Sequence, residues 1–97
     1  MTRLVFSPQT AKDIKRLTEF ILDTDPVAAK ETVAILVDGL SILKRHPLVG
    51  RTVENNYREL VISRGRTGYV ALYTCDVIRD IALILALRHQ RESGFID

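Results

Sequence analysis

One cysteine, Cys75, among 97 residues cannot close an internal disulfide, so burial and hydrogen bonding must hold the chain together, as suits a reducing cytoplasm. No Cys/His cluster offers ligands for a metal, and no motif asks for another cofactor. Long apolar runs are also missing. The longest unbroken one, residues 81–87, falls far short of the ~20 residues that span a bilayer, which argues against a membrane partner. The opening Met1-Thr2-Arg3-Leu4-Val5-Phe6 lacks the apolar stretch of a secretion signal. Charge of one sign is scarce as well: 14 basic against 12 acidic side chains leave +2, too little to mark a nucleic-acid binder by itself. Repeats, linkers and low-complexity segments are absent. What is present, 46% apolar and 27% charged residues, is ordinary for a globular protein, and the length suits one domain over residues 1–97.

Residues 3–6 read as a short β segment. Ser7-Pro8 follows as a helix cap and a first helical residue, since the serine hydroxyl can accept an unpaired N–H and proline there loses no bond. Ala11, Ile14, Leu17 and Ile21 recur at helical spacing, with Lys12, Asp13, Lys15, Arg16 and Glu19 on the other face. Asp25-Pro26 opens a second helix, expected over residues 26–45, with Ala29, Val33, Leu36, Leu40 and Leu43 in a stripe widened by Ile35, Val37 and Ile42. So broad a stripe implies contact with both the first helix and a sheet. Gly39 inside it costs about 1 kcal/mol relative to alanine, which close approach of another backbone would explain. After His46-Pro47 a loop runs to Asn56. Three strands are expected next, over residues 58–63, 69–75 and 81–87. The first alternates, and the last is apolar throughout, as a strand buried on both faces would be. Strict alternation in that last strand sets Ala82, Ile84 and Ala86 against Ile81, Leu83, Leu85 and Leu87, and either face can take the helices. The order β-α-α-β-β-β gives an α+β domain: an N-terminal strand and a helical hairpin packed on an antiparallel sheet.

If the last three strands form a meander, the hairpin connection Arg64-Gly65-Arg66-Thr67-Gly68 and the end of the final strand share one edge. Arg64, Arg66, Arg88, His89 and Arg91 then converge, with Arg51 nearby. Such a cluster suits an anionic partner, phosphate backbone or acidic peptide; the plain alternative is a solvated hairpin tip. His89 has the right ordinary pKa, ~6.5, for proton transfer near neutrality, but no Ser, Cys or Asp is set beside it, and a structural role is the simpler reading. Cys75 stands next to Asp76, which does not favour a thiolate, and reads as packing. Tyr69 and Tyr73 share a strand face and fit either a core or a partner contact.

Val5-Phe6-Ser7-Pro8-Gln9-Thr10-Ala11, Asp25-Pro26-Val27-Ala28-Ala29, the stretch Leu43-Lys44-Arg45-His46-Pro47-Leu48-Val49-Gly50-Arg51, the strand Tyr57-Arg58-Glu59-Leu60-Val61-Ile62, Gly68-Tyr69-Val70-Ala71-Leu72-Tyr73 and the closing Leu85-Ala86-Leu87-Arg88-His89-Gln90-Arg91-Glu92 together resemble the RelE/ParE toxin superfamily over nearly the whole chain. The resemblance implies the toxin half of a type II toxin–antitoxin pair, neutralised by a cognate ParD-like antitoxin with a DNA-binding N-terminal part and a C-terminal segment that wraps the toxin. It leaves two targets. ParE-like members poison DNA gyrase; RelE-like members cut mRNA on the ribosome. For the second chemistry Arg64, Arg66, Arg88, His89 and Arg91 are the candidate catalytic groups. Against it, the C-terminal aromatic is Phe95, without a hydroxyl, and residues 52–56 hold no lysine. The tail Arg88-His89-Gln90-Arg91 is similar to the ParE-like branch, so gyrase is the expected target, with Arg51, Arg64, Arg66, Tyr69, Tyr73, Arg88, His89 and Arg91 as partner-binding residues. An inactive, antitoxin-binding relative is the remaining alternative.

Overall fold

Ser7 and Asp25 start two helices by the same chemistry. The Ser7 hydroxyl accepts the Thr10 N–H at 3.1 Å, the Asp25 carboxylate accepts the Ala28 N–H at 3.1 Å, and Pro8 and Pro26 fill the first helical positions. In the computed structural model, which describes residues 1–64 and 67–95, these are α1 (Pro8–Thr24) and α2 (Pro26–Leu40). A tighter 3₁₀ turn, Ser41–Lys44, carries α2 on to the end expected from the sequence.

The strands are β1 (Arg3–Phe6), β2 (Arg51–Thr52), β3 (Arg58–Arg64), β4 (Thr67–Asp76) and β5 (Ile81–His89), in the sheet order β1-β5-β4-β3-β2. β3, β4 and β5 form the antiparallel meander. The N-terminal strand joins it beside β5 and runs parallel to it, so the complete sheet is mixed; a parallel pair needs a long crossover, and the helical hairpin lies within it. β2 lies within the stretch read as a loop and pairs only Arg51 with Glu59 and Thr52 with Arg58.

One irregularity decides which side chains face the helices. Leu72 pairs with Ala86 but Tyr73 with Ile84, so Leu85 is an additional residue in β5, a β-bulge. Strict alternation therefore fails: Leu87 joins Ala82 and Ile84 on the helix side, with Ile62, Tyr69, Ala71 and Tyr73 from β3 and β4 and Leu36, Leu40 and Leu43 from α2 and its 3₁₀ extension. At Gly39 a Cβ would stand 2.6 Å from Ile62 Cγ2. The close neighbour is a side chain of the sheet, where the sequence suggested a backbone. Gly50 meets the same kind of limit, since a Cβ there would lie 2.6 Å from the Tyr73 ring and hydroxyl.

The inner face of α1 is more polar than its periodicity implies. Ala11 is exposed, whereas Thr10 and Asp13 are fully buried. The cause lies at β5. β1 covers its outer edge only from Ile81 to Ile84, the Ser7 N–H adds a last backbone bond to the Ile84 carbonyl (2.9 Å), and from there side chains of Ser7 and α1 take over. Thr10 Oγ1 donates to the Ile84 carbonyl (2.8 Å), Ser7 Oγ to Leu85 (2.8 Å), and the Leu87 N–H donates to Asp13 Oδ2 (2.9 Å). Arg16 Nη2 reaches the Leu87 carbonyl at 3.2 Å. Side chains thus complete a strand edge that would otherwise leave buried backbone groups unpaired.

Replacing Asp13 by alanine strands the Leu87 N–H in the interior and is expected to cost about 2 kcal/mol. Asp13→Asn keeps an acceptor for that N–H and should cost less. Urea denaturation of the three proteins checks the order; an alanine variant as stable as the parent refutes this account of the β5 edge.

Candidate functional site

The pairing of Tyr69 with His89, and of Arg64 with Thr67, sets the β3–β4 connection beside the end of β5. The Gln90 N–H seals them by donating to the Gly68 carbonyl at 2.9 Å. Arg64, Arg88, His89 and Arg91 are therefore brought to one end of the sheet, while Arg66 lies outside the described residues. Arg51 stands on β2, its side chain 78% exposed and bonded at 2.7 Å to Glu59.

These groups are not equivalent. Arg91 is exposed. Arg88 is half-buried and turned into its own tail: Nη1 donates to the carbonyls of His89 (3.3 Å), Gln90 (3.4 Å) and Glu92 (3.0 Å), and its guanidinium carbon lies 5.2 Å from the centre of the Phe95 ring. A guanidinium over an aromatic face is attracted by the ring quadrupole. His89 packs edge-on against Tyr69, with ring centres 5.3 Å apart, and its Nδ1 accepts the Arg91 N–H at 3.1 Å.

The two tyrosines do not fit the partner-contact expectation. Tyr69 is 4% exposed and Tyr73 fully buried, because both project from β4 toward the helices. The Tyr73 hydroxyl donates to the Pro47 carbonyl (2.8 Å) and accepts the Gly50 N–H (2.8 Å), pinning the loop over residues 47–50; burial pushes its pKa up. Cys75 bonds the same Pro47 carbonyl at 3.2 Å, and burial raises its thiol, opposed by Arg58. Packing is its role, and burial keeps it a thiol.

Sequence reasoning missed the pair that fixes the tail. Arg16 of α1 binds Glu92, whose other oxygen accepts the His89 N–H at 2.8 Å. Arg16 was placed with the solvated face of its helix, and only its spacing from Asp13, three residues, hinted otherwise. Arg58 was likewise missed: its Nη1 donates to the carbonyls of Leu48 (3.0 Å) and Gly50 (2.9 Å) and shapes the same loop as Tyr73.

On the face of the sheet away from the helices lie two adjoining clefts. One, of about 490 Å³, is lined by Arg51, Glu59, Val61, Val70, Arg88 and Gln90. The other, of about 570 Å³, shares Arg51 and Glu59 and is walled by Tyr57, Leu72 and Phe95. Among the described residues, no three His, Cys, Asp or Glu side chains gather as metal ligands, and no helix is long and apolar enough to cross a membrane.

The sequence model for the ParE toxin of type II toxin–antitoxin systems (parDE) matches residues 4–94. The chain belongs to the ParE toxin family. It is thus a toxin component of a type II toxin–antitoxin system, a role that implies a cognate antitoxin. It is similar to Toxin RelE3 of Caulobacter vibrioides, 30% identical over 92 residues that cover 95% of this chain and 98% of that one. A chain from the chromosomal ParDE system of P. aeruginosa shares the fold, with TM-score 0.74 at 19% identity over 92% of this chain and 96% of the other.

In this ParE-family chain the basic end is thus held from behind by an acid. The hydrogen bond from Arg16 lowers the Glu92 pKa below its ordinary 4.5, against a smaller opposing effect of burial. A carboxylate with a depressed folded pKa adds stability above its unfolded value and loses it as pH falls through the folded one. Glu92→Gln should therefore cost about 1 kcal/mol at neutral pH, and the difference from the parent should begin to shrink as pH falls below the ordinary 4.5 and vanish once it has passed the depressed folded value. Thermal melts across that range test it; a gap independent of pH refutes the ion pair as its source.

Proposed function

We propose that this toxin acts in the cytoplasm on DNA gyrase, holding that enzyme in its DNA-cleaved state, and that a ParD-like antitoxin neutralises it. The observation that supports this reading is how few side chains at the basic end are placed to carry a proton. Cleaving RNA through its 2′-hydroxyl requires a base, an acid for the leaving oxygen, and cations around the developing charge. Here the Tyr69 and Tyr73 side chains are buried, the His89 Nδ1 is taken up by a backbone N–H, and the aromatic of the tail, Phe95, has no hydroxyl. Cations with few groups beside them to relay a proton suit binding better than catalysis. Arg51, Arg88 and Arg91 are the cations offered to an acidic partner. The antitoxin supplies a flexible segment with apolar anchors and carboxylates that orders as it binds.

The name of the Caulobacter relative, RelE3, favours a second reading, the ribosome-dependent mRNA endonuclease, and one pair of assays separates them. Purified protein is expected to block supercoiling by gyrase with accumulation of cleaved DNA, and to leave mRNA intact on translating ribosomes. Arg88→Glu should raise the concentration needed for inhibition by about tenfold or more. Cleaved mRNA with untouched gyrase would overturn the proposal, and expression of the chain alone without growth arrest would favour an inactive, antitoxin-binding relative. Association with the antitoxin should slow as salt is raised, measurable by stopped flow; a rate indifferent to salt removes the electrostatic part of the argument.

A further inference from the structure

β1 ends the sheet on one side, and among the described residues no strand pairs with its outer edge. The N–H groups of Arg3 and Ser7 donate inward, to the carbonyls of Asp80 (3.0 Å) and Ile84 (2.9 Å). Backbone groups of alternate residues turn the same way along a strand, so those of Leu4 and Phe6 face outward. The open stretch has defined ends. The Thr2 N–H is already given to the Lys44 carbonyl (2.8 Å), and Pro8 has no N–H to offer. On the helix side of this edge lies a cleft of about 490 Å³, lined by Met1, Leu4, Phe6, Val37, Ser41 and Lys44. Met1, Phe6 and Val37 remain 82%, 45% and 52% exposed, an apolar patch that the chain's own elements leave uncovered. The devices that protect a sheet edge, a proline, a lysine or a bulge, are missing between Arg3 and Phe6.

We infer that this edge pairs with a second copy of the chain: β1 meets β1 antiparallel across a two-fold axis at Val5, joining two five-stranded sheets into one. The ends of the open stretch set the register. With Leu4 opposite Phe6 of the second copy, every outward N–H and C=O of these two residues is paired, in bonds related by the axis. Sliding the strands to the next register in either direction calls on the N–H of Thr2 or of Pro8, and neither is there to give. The side chains agree with this register. Leu4 and Phe6 of the two copies meet on the helix side and close the two clefts against each other, while Val5 meets Val5 on the opposite face. Arg3 falls opposite Ser7 of the second copy, so the two Arg3 residues stand about 14 Å apart along the strands, beyond the ~8 Å screening length at physiological salt. An acidic segment of another protein fits less well, because Leu4, Val5 and Phe6 carry no charge and the cations Arg3 and Lys44 lie toward one end. Since the paired strands run in opposite directions, the two basic ends of the dimer point opposite ways. The inference holds whichever target the toxin has.

Sedimentation equilibrium of the purified full chain tests this. The 11.0 kDa chain is expected to give a species of twice that mass at micromolar concentration. Val5→Cys sets two thiols at the axis, where the Cα atoms of a non-hydrogen-bonded pair are ~4.5 Å apart, within reach of a disulfide. Mild oxidation should therefore link the copies. Arg3→Cys, with its thiols about 14 Å apart along the strands, should not link, and the parent with Cys75 alone is the blank. Phe6→Lys sets an ammonium against Leu4 of the second copy and should raise the dimer dissociation constant about tenfold or more. Phe6→Leu should keep the dimer, which separates loss of pairing from loss of fold. A monomer at every concentration, linkage of Arg3→Cys as ready as that of Val5→Cys, or a dimer indifferent to Phe6→Lys would overturn the proposal. So would Leu4 and Phe6 amides that exchange freely in the chain alone and become protected only when the antitoxin binds, an outcome that assigns the edge to the antitoxin.

Discussion

β5 lies between β4, which accompanies it from Ile81 to His89, and β1, which accompanies it only from Ile81 to Ile84. The backbone beyond Ile84 must find partners on its outer side or remain buried and unpaired, a cost of roughly 1–3 kcal/mol per group. The α1 side chains meet that demand. Thr10 and Ser7 take the carbonyls of Ile84 and Leu85, and Asp13 takes the Leu87 N–H. Arg16 takes the Leu87 carbonyl and then reaches Glu92, whose carboxylate caps His89. The ladder that begins as strand pairing thus continues as helix side chains and ends as a clamp on the tail. The register of α1 on the sheet, the end of β5 and the course of residues 90–95 all follow from it.

That continuity changes what the basic end is. Arginines at a hairpin tip are usually independent, solvated charges, each worth little. Arg88 is different, because its carbonyl contacts and the Phe95 ring hold it in one place, and those carbonyls are themselves positioned by Glu92. A charge fixed beforehand loses less conformational entropy on meeting a partner than a free one does. Arg91 is exposed, and the 78%-exposed Arg51 is paired with Glu59; both contribute long-range attraction. The same fold therefore offers one cation held by its own tail beside others that face solvent.

The sequence disclosed the elements through local rules that tertiary structure did not override. Ser7-Pro8 and Asp25-Pro26 announce helix starts by capping chemistry alone, and the short connections of the last three strands leave them little choice but a meander. The bulge at Leu85 was not legible, because an unbroken apolar run carries no alternation from which a slipped residue can be noticed. Nor was the burial of Asp13. A carboxylate between Lys12 and Lys15 looks solvated until the end of β1 is known, and that end depends on a pairing between residues more than seventy positions apart. The tyrosines at 69 and 73 were ambiguous for a related reason: alternation says that they share a face, but which face the helices cover is a property of the packed molecule.

Membership of the ParE family and the shared fold fix the scaffold and the existence of an antitoxin, yet a fold does not carry its target with it. What distinguishes one member from another must lie where the scaffold imposes nothing, and here that is the face of the sheet away from the helices. Its inner face is fully specified by packing: substituting Ile62, Tyr73 or Leu87 is felt through the core. The outer face, with Val61 57% exposed and Phe95, Tyr57, Arg51 and Arg88 around it, is bound by no such requirement. A bulge that turns Leu87 inward and leaves Arg88 at the edge of the open groove couples the two. The packing of the core thereby sets where a cation stands on the surface that remains free for a partner.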